Sequence, residues 1–97
     1  MRFEWDVEKE KVNLKKHGLS FTEAAFVFTD AKTIYLPDPD HSIGEERLVA
    51  LGKIRDLTIA VVIFVDKSKN DEEIIRIISA RKATKSEEQQ YYSSEID

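Results

Sequence analysis

The chain of 97 residues contains no cysteine. Disulfides and thiolate metal sites are therefore excluded, and the core or a partner must supply the stability that cross-links give other small domains. Glycine and proline are scarce, at three and two residues, and no linker, repeat or low-complexity segment is evident. Long hydrophobic runs are also missing. The longest, Leu57 to Val65, contains Thr58 and is far too short for a membrane-spanning helix. The opening MRFEWDVEKE lacks the apolar stretch of a secretion signal, so a cytoplasmic location without membrane contact is expected. Finally, there is no excess of basic residues. The formal net charge is −4, whereas nucleic-acid binding usually leaves a basic footprint.

What is present fits one small folded domain over residues 1–97. Charge is segregated along the chain. Lys9, Lys11, Lys15, Lys16 and His17 gather near the start, and Arg76, Arg81, Lys82 and Lys85 near the end. Glu45–Glu46 and Asp71–Glu73 collect acids. This leaves room for a local basic groove on an acidic protein.

The spacing predicts a strand over Phe3 to Asp6, then a helix over Val7 to Lys16 capped by Asp6 and stopped at Gly18. Ser20 to Glu23 is a capping box for a second helix carrying Phe21, Ala24, Ala25 and Phe28. Trp5, Phe21, Phe26 and Phe28 read as core. Thr33 to Leu36 is a candidate strand, followed by a Pro37–Asp40 turn. Glu46 to Leu51 and Leu57 to Val65 are further strands, with Gly52 to Asp56 as their hairpin connection. The second is apolar on both faces, as a central strand would be. Ile74 to Arg81 is the last strand, and Thr84 to Glu87 opens a final helix bearing Tyr91 and Tyr92, which could face RNA or a partner. The expected fold is a two-layer α+β domain. An antiparallel sheet of four or five strands has two N-terminal helices on one face, and a C-terminal helix follows.

In the segment IIRIISARK, from Ile74 to Lys82, guanidiniums interrupt an apolar strand. Arg presents a planar donor fork suited to phosphate. It can equally lie at a sheet edge with its head in water.

The FEWD start, Lys9, Asn13, Lys16-His17-Gly18, Ser20-Phe21, Glu23-Ala24 and Val27 to Asp30 together resemble the BrnT family of toxins. Glu45-Glu46-Arg47, Gly52 and Ile75 to Ala83 continue the resemblance in order over nearly the whole chain. The resemblance implies a RelE-like fold and RNA cleavage that arrests translation. It also implies neutralisation by a cognate antitoxin with a DNA-binding domain, so that operator DNA is reached only through the antitoxin.

Cleaving RNA without a metal requires a base for the 2′-hydroxyl, cations for the phosphorane and an acid for the leaving 5′-oxygen. Arg47, Arg76 and Arg81 are the candidates for the cations. Arg76, inside the strand, is favoured over Arg81. Five residues apart, the two point to opposite faces of a regular strand, unless a bulge or the strand end realigns them. His17 is the acid/base candidate, or else a cation complementing a helix dipole. Glu46 is a possible base or a cross-strand partner for an Arg. Lys9, Asn13 and His17 share one helix face flanked by Lys16. With Lys82 they could bind RNA, or simply be solvated. Ser79, alternating with Ile75 and Ile77, reads as a small buried hydroxyl. His41 reads as exposed. Asp38, Asp40 and His41 read as turn chemistry, so no metal and no cofactor are expected. The alternative to a ribonuclease is a non-catalytic binding module that acts only within a repressor complex.

Overall fold

The computed structural model describes residues 1–94. β1 (Arg2–Glu4) leads into α1 (Val7–His17), and α2 (Phe21–Ala24) runs on as a 3-10 segment, Ala25–Thr29. β2 (Ile34–Pro37), a 3-10 turn (Pro39–His41), β3 (Leu48–Arg55), β4 (Thr58–Asp66), β5 (Ile74–Lys82) and α3 (Lys85–Ser93) complete the chain. The sheet order is β1-β5-β4-β3-β2.

The caps form as the residue pattern requires. Asp6 accepts from the backbone N–H groups of Glu8 and Lys9. Gly18 closes α1 in the left-handed region at φ 69°. Ser20–Glu23 and Thr84–Glu87 both form reciprocal capping boxes.

Two expectations about the sheet need correcting. The sheet is mixed, not wholly antiparallel, because β1 runs parallel to β5. A short hairpin could not join those strands. The chain between them passes through helices and three other strands, which frees β1 to lie in either sense. Gly52 is not in a connection but inside β3, and the turn falls at Asp56–Leu57. Glycine is needed there because another segment crosses it closely. A Cβ at Gly52 would lie 2.7 Å from Val27 Cγ2 and would also run into Thr33 Oγ1.

Each face of the sheet has its own cluster. Ala50, Ala60, Val62, Phe64, Ile75 and Ile77 pack against Leu19, Phe21, Ala24 and Val27 from the α1–α2 side. Leu51, Ile59 and Val61 pack against Tyr91 of α3 on the opposite face. Tyr91 is 1% exposed, so it belongs to the core and cannot face RNA or a partner. Its hydroxyl donates to Asp30 Oδ2 at 2.6 Å. Burial pushes the Asp30 carboxyl up, but hydrogen bonds from Tyr91 and from the N–H groups of Lys53 and Lys32 outweigh it and hold the pKa low. Phe26, expected in the core, is 54% exposed, because the 3-10 segment turns it away from the sheet.

Candidate functional site

β1 covers only the first three residues of β5, which leaves the later edge of β5 open. An open strand edge exposes unpaired backbone groups. Asn13 of α1 seals it. Its Oδ1 accepts from Ala80 N–H at 3.0 Å, and its Nδ2 donates to Ala80 O at 2.8 Å and to Leu19 O at 3.0 Å. The amide thus imitates a neighbouring strand and fixes α1 against β5. Asn13 is buried, and these bonds commit its amide to the fold rather than to a ligand.

The docked helix brings its last residue, His17, to the sheet. A bulge in β5 then arranges the arginines. Ile63 pairs with Ser79 and Phe64 with Ile77, so Ile78 is an inserted residue without a partner on β4. The insertion offsets the odd spacing of Arg76 and Arg81. They pair with Val65 and Val61 respectively, and those two lie four apart on a regular strand. Both arginines therefore share the face opposite α1 and α2. The same shift moves Ser79 off the face of Ile75 and Ile77, against expectation.

A cavity of about 350 Å3 opens on this surface, lined by His17, His41, Arg47 and Arg81 over Val61 and Ile63. Arg47 sits just before β3 at the end of a loop that closes on itself. Its N–H donates to Ser42 Oγ at 2.9 Å, and its carbonyl accepts from Asp38 N–H at 3.0 Å. Arg47 Nε is buried without a hydrogen-bond partner among the described residues. Buried polar groups are nearly always bonded, so Arg47 is a guanidinium whose bonding capacity the fold does not use up.

His41 is exposed, as the sequence suggested, with 67% of its side chain accessible, and it lines the cavity. Its Nδ1 lies 3.0 Å from both carboxylate oxygens of Asp38. The two side chains are three residues apart across the 3-10 turn, where positions i and i+3 eclipse. The D-x-x-H spacing around a proline is the sequence signal for this contact. With Nδ1 held by a carboxylate, Nε2 is the ring nitrogen not engaged by Asp38. Arg81 is gripped by Glu87 of α3 through two parallel bonds, Nη1 to Oε1 at 2.8 Å and Nη2 to Oε2 at 2.9 Å. The hydrogen bonds from Arg81 pull the Glu87 carboxyl down to about 2, and the guanidinium is raised in return.

The remaining candidates lie elsewhere. Arg76 shares the face but not the cavity. It sits 3.7 Å from Glu4, its register partner on β1. Glu46 is exposed, and its neighbour Glu45 is the one that forms an ion pair, with Lys67 at 3.2 Å. Lys82 is exposed and pairs in register with Ala60, on the α1–α2 side of the sheet. Lys9 and Lys16 line an adjoining cavity along α1.

Comparison with known proteins agrees with this architecture. The family model described as the ribonuclease toxin, BrnT, of type II toxin–antitoxin systems matches residues 5–87. The crystal structure of the Brucella abortus ribonuclease toxin, BrnT, superposes with a TM-score of 0.64 at 30% identity, covering 88% of this chain and 99% of that one. No curated protein matches the chain. Residues 5–87 carry the cavity's two histidines and two arginines, and the chain belongs to the BrnT family of ribonuclease toxins of type II toxin–antitoxin systems.

Proposed function

We propose that this protein cleaves RNA at the His17–His41–Arg47–Arg81 cavity by metal-independent acid/base chemistry, arresting translation. One imidazole takes the 2′-hydroxyl proton, and the 2′-oxygen attacks the adjacent phosphorus. The bond from phosphorus to the 5′-oxygen breaks, and the other imidazole protonates that oxygen. The products are a 2′,3′-cyclic phosphate and a 5′-hydroxyl. Arg47 and Arg81 meet the charge that builds on the phosphorane, where aimed donors contribute most. Asp38 orients His41. Arg76 and Lys82 lie outside the cavity and are given no part in this step, nor is Glu46.

The observation that carries the reading is convergence. Separate segments of the chain, namely the end of α1, the loop before β3 and the end of β5, deliver two imidazoles and two guanidiniums to one cavity. One of those guanidiniums has a buried, unpartnered Nε.

A cognate antitoxin with a DNA-binding domain would silence the toxin by laying an acidic segment over Arg47 and Arg81, since desolvated charge pairs are strong. The net charge of −4 suits a toxin that reaches operator DNA only through that antitoxin.

The test is cleavage of a labelled RNA in EDTA by the wild type, Arg47→Ala and His41→Ala, with growth arrest scored for each. Arg47→Ala should cost roughly 10²–10³ in rate and His41→Ala roughly 10²–10⁴, at unchanged urea midpoints. A wild type that neither cleaves nor arrests growth would favour the non-catalytic binding module instead. The engagement of Arg81 by Glu87 is the observation on that side.

A further inference from the structure

The adjoining cavity along α1, about 390 Å3, shares His17, Ile78 and Ser79 with the arginine-lined one. Ile78, the inserted residue of the β5 bulge, is the divide between them. Bulges commonly re-aim a side chain in this way.

The two cavities differ in charge. The first has two arginines and two histidines in its lining, and the carboxylates beside it, Asp38 and Glu87, are already bonded to His41 and Arg81, which leaves Arg47 uncommitted. The second sets Lys9 and Lys16 against Asp6 and Glu8, around the apolar side chains of Val12 and Ile78. A phosphate is drawn to the first and is opposed by the carboxylates of the second. A nucleobase fits the second better. Its flat faces need an apolar wall, and its edge carries both donors and acceptors, which opposite charges can meet. Val12 is 66% exposed, an apolar side chain free to be covered. Lys9 and Lys16 make no ion pair with the described residues, whereas Glu8 is already 3.5 Å from Lys11.

We infer that the α1 cavity is a base-binding subsite, holding the nucleotide next to the phosphate bound at Arg47 and Arg81. The RNA strand then crosses the sheet edge over Ile78 and His17. The inference rests on the ribonuclease reading above. It makes single-stranded RNA the substrate, because a base paired in a duplex cannot splay into a pocket.

The test is a titration of the full chain with a 2′-O-methyl hexaribonucleotide, whose blocked 2′-oxygen prevents cleavage. Inorganic phosphate is titrated separately. NMR follows the Val12 and Ile78 methyls and the Arg47 Nε–H. The oligonucleotide should move all three, and phosphate should move Arg47 while Val12 stays put. Val12→Gln, which removes the apolar wall without adding charge, should weaken oligonucleotide binding roughly threefold to tenfold. An oligonucleotide that moves Arg47 but not Val12, or that binds Val12→Gln as tightly as the wild type, overturns the subsite and leaves the ribonuclease reading standing. An oligonucleotide that moves neither residue overturns both.

Discussion

Glu87 on α3 and Arg81 on β5 meet fork to fork, with paired bonds of 2.8 and 2.9 Å. Glu87 also accepts from Thr84 N–H at 2.8 Å within its capping box. One carboxylate therefore starts a helix, docks it and holds a guanidinium at the cavity rim.

This arrangement makes stability depend on acid. The folded-state pKa of Glu87 is lowered from 4.5 to about 2. A depressed carboxyl contributes its full stabilisation above the unfolded value and loses it as pH falls through the folded one. The contribution should be complete above pH 4.5 and fade towards pH 2. Glu87→Gln should cost about 1 kcal/mol at pH 7, allowing for solvent screening of a half-exposed pair. Urea melts of both proteins should converge as the pH drops to 2.5. A gap that stays constant with pH would rule out the carboxylate as its source.

Asn13 predicts a larger effect. Asn13→Ala leaves Ala80 N–H and two carbonyls without their partner. Unsatisfied buried groups cost about 1–3 kcal/mol each, and some will be rehydrated. A loss of about 2–4 kcal/mol is expected by chemical denaturation. Asn13→Asp should recover little, because a carboxylate accepts from Ala80 N–H but cannot donate to the carbonyls. Full stability in Asn13→Asp would refute the clamp.

Arg76 and Arg81 should separate functionally although they share a face. Arg76→Ala removes a loose contact of 3.7 Å with Glu4 and should leave RNA cleavage within about threefold, as expected of a partly exposed ion pair. Arg81→Ala should lower it roughly 10²-fold or more. Single-turnover rates on one RNA decide the matter, and equal losses would extend the active surface towards β1.

This pair also shows where the sequence stopped being legible. The odd spacing of the two arginines was readable, and so was the need for a bulge to align them. The bulge itself was not, because Ile78 is another isoleucine in an apolar run, and a register shift depends on the partner strand. The capping boxes at Ser20 and Thr84 were readable because they are local. The parallel β1, the buried Asn13 and the pairing of His41 with Asp38 were not. Each depends on contacts far along the chain or on a loop held in one conformation by Ser42 and Arg47. His17, Arg47 and Arg81 were among the candidates, but their meeting in one cavity is a property of the fold.

Gly52 offers a test of packing independent of the site. Gly52→Ala places a methyl against Val27 and Thr33, at 2.7 Å from the former. Overpacking of this kind costs about 1–3 kcal/mol. Thermal melting should show the loss. Combining Gly52→Ala with Thr33→Ala and Val27→Ala should cost less than the sum of the separate changes, since the three share one space. Strict additivity would show that the crossing segment yields without strain.

α1 carries two duties on one short length of chain. Asn13 locks the helix to the sheet, and His17, four residues later, stands at the cavity. Val12 and Leu14 are largely exposed, so little apolar contact holds the helix, and beside the Asn13 bonds it is tied by Glu10, whose Oε2 accepts from Phe21 N–H at 2.9 Å. Release of α1 would cost far less than unfolding the sheet. It would carry His17 away from the arginines while the five strands stayed paired. A molecule built this way loses the meeting of His17 with the arginines before it loses its fold, so a population with an intact sheet and a dispersed cavity lies one helix displacement away.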